Sequence, residues 1–414
     1  MPQETKKSGI FPGWYVVIAC FFVTMSLGET MWSFGLFFKP LQAEFGWSRS
    51  LVSSGYTAFL IAYSLSIMVA DRLSDRYGPR LVLVANGILA GLGICLCSRI
   101  QSLNELRFFL MVAGLGAGGT WPIPTATVQR WFHGKPRAGL ALGIVSSGIG
   151  IGAIVFTPLI NYLILSHGWR SAFLIVGMLC LGIIVSAGLF IRESPRKIEH
   201  ATGRATTTGA GTPELTTSKV LTHVSFLIIT FAGCATLSVF QFISVHMVPF
   251  ATDLGISTTI VAAVVGLIGA VSIPGRILSG PLADKIGWRG TFYLSLFGLV
   301  LAVIWMLFTR TEWMLYVFAV FFGLFWGVRT TAINGILGSF FGMRSVGDLI
   351  GITSAIGNIF GAFVPYIAGY VFDSLGSYTM VFLSLALLLL VAGILITTIK
   401  KPAEAQDAWR AERE

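Results

Sequence analysis

The sequence predicts an all-α membrane protein of twelve transmembrane helices, built as two six-helix halves related by a pseudo-two-fold axis. Three observations carry that prediction: the composition, a succession of apolar runs along the whole chain, and an internal repeat. Of the 414 residues 55% are hydrophobic and only 11% are charged, with a mean hydropathy of +0.82, whereas soluble domains are about one quarter charged. A water-facing surface cannot be assembled from this composition, so the lipid bilayer is the solvent for most of the chain. Runs of roughly 20 apolar residues, at about 1.5 Å per residue, cross the roughly 30 Å of hydrocarbon.

Apolar length, read against glycine, proline and charge, places spans near 14–38, 51–70, 80–98, 106–130, 137–163 and 169–190. A second set lies near 221–250, 259–283, 290–309, 313–337, 347–371 and 378–399, with ends uncertain by about 2–4 residues. The first run has no small-residue cleavage site and reads as a permanent span, not a signal peptide. Between the sets, ESPRKIEHATGRATTTGAGTPELTTSK is rich in Thr, Gly and charge and reads as a flexible linker. The expected organisation is a half over 1–191, a linker over 192–220, a half over 221–399 and a tail over 400–414.

Charge sets the orientation. With a cytoplasmic N-terminus, 20 of the 28 Lys and Arg fall on the cytoplasmic side and six outside, which by the positive-inside rule puts both termini in the cytoplasm. A plasma membrane, of the bacterial inner-membrane kind, is the expected location. The same asymmetry explains the formal charge of +10 without nucleic acid, whose recognition requires a basic patch on a soluble domain. The five cysteines all lie in apolar runs and lack zinc or redox spacing.

The repeat divides the chain. DRLSDRYGPR, starting at Asp71, returns as GPLADKIGWR, starting at Gly280, an offset of 209 residues that also superposes Trp131-Phe132 on Phe340-Phe341 and Gly148 and Gly152 on Gly357 and Gly361. Repeats of this kind put a binding site near the midplane between halves that rock against each other.

These residues resemble the major facilitator superfamily. Its loop motif G-x-L-A-D-[RK]-x-G-x-[RK] is matched by Gly280, Leu282, Ala283, Asp284, Lys285, Gly287 and Arg289 and partly by Leu73, Asp75, Arg76, Gly78 and Arg80. GLFFKPLQAEFGWSRS, QRWFHGKPRAGLALGIVSSGIGIG and VPFATDLGIS are similar to the monocarboxylate porter branch and its oxalate/formate antiporter neighbours. The resemblance implies a cavity lined by spans 1, 2, 4, 5, 7, 8, 10 and 11, a gating role for Asp75, Arg76, Arg80, Asp284, Lys285 and Arg289, and an Arg in span 8 that holds a substrate carboxylate. Two departures stand out. Trp32 and Ser272 occupy the places of the branch's Lys in span 1 and Asp in span 8, so proton coupling through that pair does not carry over. Asp71 stands where the motif has glycine, and its carboxylate should loosen the cytoplasmic closure and favour an inward-open state.

Charge within a span costs about 2.5–3.5 kcal/mol at the centre on translocon scales, which makes each instance a functional candidate. Arg276 in span 8 reads as a carboxylate ligand, because a guanidinium fork matches a carboxylate with two parallel hydrogen bonds; the alternative is a gate contact with Asp284. Arg329 in span 10 reads as a second ligand or as the ion-pair partner of Glu29. Glu29 in span 1 is a candidate proton carrier, or a fixed counter-ion about 10 Å away in depth at 1.5 Å per residue. Lone polar groups such as Tyr63, Gln241 and Asn334 read as glue between helices. His246 and Asn358 are retained as substrate contacts, and Trp121, with Trp32 and Trp326, as an aromatic wall.

Gly114, Gly116 and Gly119 spell a dinucleotide fingerprint but lie within a membrane helix with no preceding strand, so they read as packing residues. His133 and His167 lack metal spacing. No catalytic constellation, cofactor or metal site is expected. The reading is a monomeric secondary transporter, not an enzyme, for a small organic anion, a mono- or dicarboxylate such as acids of the lactate or pyruvate type, coupled to protons. Alternatives are an exchanger using a counter-anion, an exporter of hydrophobic compounds, and a membrane carboxylate sensor.

Overall fold

The computed structural model describes residues 11–133, 135, 137–191, 220–342 and 346–399. The expected linker, except Val220, and the expected tail lie outside these residues. Among them are thirteen α-helices and no strand. Span 1 is α1 (Gly13–Trp32) followed by α2 (Phe34–Phe45), span 2 is α3 (Arg49–Tyr77) and span 3 is α4 (Pro79–Cys97). Span 4 is α5 (Leu103–Ala117) and α6 (Pro122–Phe132), and α7 (Ala138–Phe190) carries spans 5 and 6. Then come α8 (Val224–Asp253) as span 7, α9 (Thr258–Phe308) as spans 8 and 9, and α10 (Glu312–Phe341) as span 10. Span 11 is α11 (Val346–Ala362) with α12 (Val364–Leu375), and span 12 is α13 (Thr379–Thr398).

Ten continuous segments are long and apolar enough to cross a bilayer. Two of them, α7 with 53 residues and α9 with 51, are twice the necessary length and break at Gly168 (φ 79°) and Gly287 (φ 73°). Packing shows that each break reverses the chain. Residues 145–152 of α7 run parallel to Thr24–Gly28 of α1, whereas 177–188 run antiparallel to α4, Gly177 against Cys95 and Gly188 against Leu83. Likewise Ile268 and Ser272 of α9 run parallel to Gly323 and Gly327 of α10, while Trp288 and Gly298 run antiparallel to Gly335 and Phe325. Twelve crossings result. Span 2 continues to Tyr77, past its expected end near 70, because the charged motif stays helical until Gly78 supplies a φ of 84°.

The repeat holds in three dimensions. Gly78 and Gly287, 209 residues apart, both adopt positive φ, and Ser48 and Ser257 cap α3 and α9 through their hydroxyls. A Cβ on Gly114 would lie 2.2 Å from the Phe59 carbonyl oxygen, and one on Gly323 would lie 2.7 Å from that of Ile268. Both contacts therefore need glycine, and they occupy equivalent places in the two halves. Gly116 and Gly119 likewise meet Ala90 and Asn86 of α4, so the fingerprint-like glycines are where helices approach closely.

Candidate functional site

The two halves meet along a seam whose ends differ. At the end with the 1–2, 7–8 and 11–12 turns, polar groups bind across it. Asp253, ending α8, accepts hydrogen bonds from Lys39 of α2 and from Arg49, the first residue of α3. Arg49 also donates through Nη1 to the Tyr378 hydroxyl at 2.8 Å and lies 3.5 Å over the Phe372 ring. Asp373 of α12 accepts the Arg49 and Ser50 backbone N–H groups, each at 2.9 Å, where the start of a helix favours a negative charge. Gly369 permits this approach, since a Cβ there would meet Ser50 N at 2.7 Å.

His246, expected as a substrate contact, belongs to this closure. It is 0% exposed. Its Nε2 lies 2.8 Å from the Pro365 carbonyl oxygen and 3.3 Å from the Ser53 hydroxyl, and its Nδ1 lies 2.8 Å from the Tyr378 hydroxyl. The Pro365 carbonyl can only accept, so Nε2 carries the proton and Nδ1 accepts from Tyr378. Burial pushes the Tyr378 phenol up, away from ionisation, which keeps it a donor. Arg49, Tyr378, His246 and Pro365 thus form one directed chain. Below it the Thr57 hydroxyl donates to the Ala362 carbonyl at 2.8 Å, from span 2 to span 11.

Toward the other end the halves part. On span 5 the stripe Gly139, Gly143, Ser146 and Gly150 faces span 8 at helical spacing. A Cβ on Gly150 would be 2.7 Å from the Gly269 carbonyl oxygen, but one on Gly143, Gly139 or, on span 8, Gly280 would meet nothing within 4 Å. Spans 2 and 11 diverge in the same way. Gly351, eleven residues before Ala362 on the same face, meets nothing, and Asp71 and Met68 of the facing stripe are exposed. The seam is a wedge with its open side at the loop-motif end.

Contacts of two motif residues lie within one half. Asp75 pairs with Arg130 at 2.8 Å, and Arg289 donates to the last carbonyls of α13, Ile396 at 3.1 Å and Thr397. Arg76 lies over the adjacent Tyr77 ring, while Asp284, Lys285 and Arg80 are exposed, without a side-chain partner among the described residues.

Arg276 bridges the narrow part of the wedge. Its Nη1 donates to the Ser146 carbonyl of the opposite half, and its Nε is buried without a partner. The ion pair considered with Asp284 is not formed, because α9 carries Asp284 eight residues further toward the open end. Arg329, 7% exposed, donates from Nε to the Thr236 hydroxyl at 2.8 Å and from Nη2 to the Gly233 carbonyl at 3.3 Å, both on span 7.

One turn from Arg329, toward the closed end, Trp326 stacks on Phe240 at 4.6 Å, and Trp32 meets Phe240 edge-on at 4.7 Å. Glu29 lies one turn from Trp32, on the same side of this three-ring layer as Arg329. The two charges are therefore nearer in depth than helix counting suggests, yet they do not pair. Glu29 is 5% exposed and accepts from the Thr30 hydroxyl at 3.2 Å. Asn358 bonds its own helix, at the Ser354 carbonyl, and Trp121 is half-buried beside the 3-10 turn Gly118–Thr120, with no ring contact among the described residues. Of the aromatic wall, Trp32 and Trp326 come together and Trp121 does not.

Sequence reading missed Phe240, which joins the two tryptophans, and the closing residues Lys39, Arg49, Asp253, Asp373 and Tyr378. A signal was present: Lys39 and Arg49 are two of six bases on the sparsely charged side, and Asp253 ends the span that the repeat pairs with the span of Lys39. Gln241, read as glue, is 0% exposed with neither amide atom bonded.

The sequence profile of the Major Facilitator Superfamily matches residues 18–312. Monocarboxylate transporter 13 of Rattus norvegicus is 30% identical over 392 residues, covering 93% of this chain and 88% of the relative. Monocarboxylate transporter 12-B of Danio rerio is 27% identical over 440 residues, covering 96% and 90%. Both are animal proteins and lend no support to a bacterial inner membrane. Among solved structures, a D-xylose-proton symporter superposes with a TM-score of 0.74 at 13% identity, covering 94% of this chain and 99% of the other, and a bacterial homologue of the lysosomal transporter Spinster with 0.67 at 16%, covering 99% and 98%. The wedge between two six-span repeats, the loop motif and these matches agree: the chain belongs to the major facilitator superfamily and is a multi-pass membrane transporter of the monocarboxylate-transporter type, not an enzyme.

Proposed function

We propose that this chain, as a monomer, moves a small organic anion of the lactate or pyruvate type by alternating access, with Arg329 and Arg276 receiving the carboxylate and Glu29 carrying a coupled proton. The observation that carries this reading is two guanidinium groups inside the bundle with no carboxylate partner among the described residues. Unpaired charge in a membrane interior is costly, and an anionic solute in the wedge would offset it. Both groups keep donors for that purpose: Nη1 of Arg329 and Nη2 and Nε of Arg276 make no hydrogen bond among the described residues. A planar carboxylate can take such donors two at a time.

Glu29 supplies the complement. A buried carboxyl without a cation is stable mainly when protonated, and its site beside the ring layer lets its protonation follow occupancy of the chamber. Charge asymmetry supports a closed end outside and both termini in the cytoplasm of a plasma membrane, with the wedge opening inward. Asp71, on the open face where the repeat has Gly280, opposes closure of that face because burying a carboxylate there is costly.

The test is uptake of labelled lactate, pyruvate and oxalate into proteoliposomes with and without an inward proton gradient. Uptake should rise with the gradient, fall at least 100-fold in Arg329→Ala, and lose its gradient dependence in Glu29→Gln while exchange continues. Uptake of these acids by Arg329→Ala at the wild-type rate would remove the anion assignment.

A further inference from the structure

The closed end holds a second concavity that the transport path does not use. A cleft of about 350 Å³ is walled by Phe250, Leu307 and Phe382 and edged by Arg49, Asp253 and Arg310. That volume is at the small end of the range for small-molecule sites, about 300–1,000 Å³, and a few polar groups on apolar walls are their usual make-up.

The charges in the cleft are unequally used. Asp253 is shared between Lys39 and Arg49, and both terminal nitrogens of Arg49 are taken, by Asp253 and Tyr378. Arg310 spends Nη1 on the carbonyls of Leu307 at 3.2 Å and Thr309 at 2.7 Å, which leaves Nη2 and Nε without a partner among the described residues. With two arginines and one aspartate at its edge, the cleft carries net positive charge, and its available fork suits one carboxylate.

All of its lining comes from the C-terminal half except Arg49, which belongs to span 2. Because Arg49 belongs to the opposite half, parting of the halves at this end would carry it away from the cleft. We infer that the cleft is an inhibitory site for a soluble aromatic monocarboxylate, with the carboxylate on Arg310 and the ring against the edge-to-face pair of Phe250 and Phe382, whose centroids are 5.4 Å apart, and that it is complete only in the state with the wedge open. A ligand that binds one state alone shifts the population toward it, and the coupling to the transport site is reciprocal. An aromatic acid on the closed-end side should therefore slow the return of the carrier without occupying the chamber between Arg329 and Arg276.

Phenylacetate is the probe, titrated calorimetrically into the purified full chain and added on the closed-end side in the uptake assay. Arg310 is exposed and bonds only its own turn, so Arg310→Ala should fold and transport as the wild type does. Phenylacetate should bind the wild type and Arg329→Ala alike, bind at least tenfold more weakly to Arg310→Ala, and lower the maximal uptake rate of the wild type but not of Arg310→Ala. Asp373→Asn, which loosens Arg49 without lining the cleft, should also weaken binding. The inference is overturned if phenylacetate does not bind, or if its binding is lost in Arg329→Ala and kept in Arg310→Ala, which makes it a chamber ligand. It is equally overturned if oleate in the lipid needs Arg310 and phenylacetate does not, which makes the cleft a site for a leaflet acid. Unchanged affinity in Asp373→Asn would overturn the dependence on state.

Discussion

Spans 2 and 11 face each other across the seam, yet their two ends are built on different principles. At the closed end Ser50 N lies against Gly369 and Asp373, and the Thr57 hydroxyl reaches Ala362. At the open end the same helix faces carry Asp71 and Met68 opposite Gly351, and the glycine meets nothing. Polar groups fasten one end: the N–H groups that start α3 meet the carboxylate of Asp373 near the end of α12. Among the described residues the open end shows no such pairing. Asp71 lies within continuous helix, and its repeat-mate Gly280 has no side chain at all. The contrast teaches that closure here depends on helix termini and a few shared charges more than on apolar contact. Such a closure can be undone stepwise without exposing a hydrophobic core.

The sharpest way to break the comparison is Asp253→Asn, which leaves Lys39 and Arg49 without their shared carboxylate. Arg49 has 7% side-chain exposure and Asp253 31%, so the pair lies between a buried and a surface ion pair. A charge-assisted hydrogen bond contributes about 1.5–3 kcal/mol, and the equilibrium should move roughly 10- to 100-fold toward opening of this end. With Ser244→Cys in a cysteine-free background, labelling by a charged thiol reagent from the closed-end side should accelerate by that factor. An unchanged rate would mean that Asp253 does not hold the closure.

Asp71→Gly tests the opposite end and should act in the same direction with a smaller effect. Removing the carboxylate lets spans 2 and 11 approach at the open end, and the released penalty of about 1 kcal/mol corresponds to roughly a five-fold shift. Labelling at Ser244→Cys should again rise, while a cysteine introduced at Gly351 should become less reactive from the open side. Unchanged labelling at both positions would show that the open end is held apart by something other than Asp71.

Much of this arrangement is legible in the sequence, and the division is physical. Spans register as apolar length because the bilayer imposes it, and the repeat registers because helices that approach closely need glycine at Gly114 and again at Gly323. Arg276, Arg329 and Glu29 stand out because charge inside a span is rare. Their pairing does not. Helix counting separates Glu29 from Arg329 in depth, whereas the ring layer of Trp32, Phe240 and Trp326 has both on one side, where Arg329 bonds Thr236 of span 7 and Glu29 its neighbour Thr30. The acids at the ends of α2 and α8 make the same point. Glu44 and Asp253 occupy equivalent repeat positions, but Glu44 accepts from Trp169 and Arg170 within its half while Asp253 reaches across the seam. His246 reads as a binding-site histidine by its depth, and only the fold shows Tyr378, Pro365 and Ser53 around it. A side chain near a helix end has an identity in the sequence and a partner only in the assembled bundle.

Lys39→Ala should give the smallest effect and thereby sharpen the distinction between the two cations on Asp253. Lys39 has 38% side-chain exposure, against 7% for Arg49. Ion pairs of that exposure contribute about 0–1 kcal/mol and are screened by salt, so labelling at Ser244→Cys should rise less than about five-fold and the difference should vanish at high ionic strength. Arg49 is held additionally by Tyr378, Phe372 and, through its backbone, Asp373, contacts that salt does not screen to the same degree. If Lys39→Ala opened the closed end as far as Asp253→Asn does, the closure would be a surface charge pair rather than the Arg49-centred network, and the directed chain from Arg49 through Tyr378 to His246 would be a consequence of closure instead of its support.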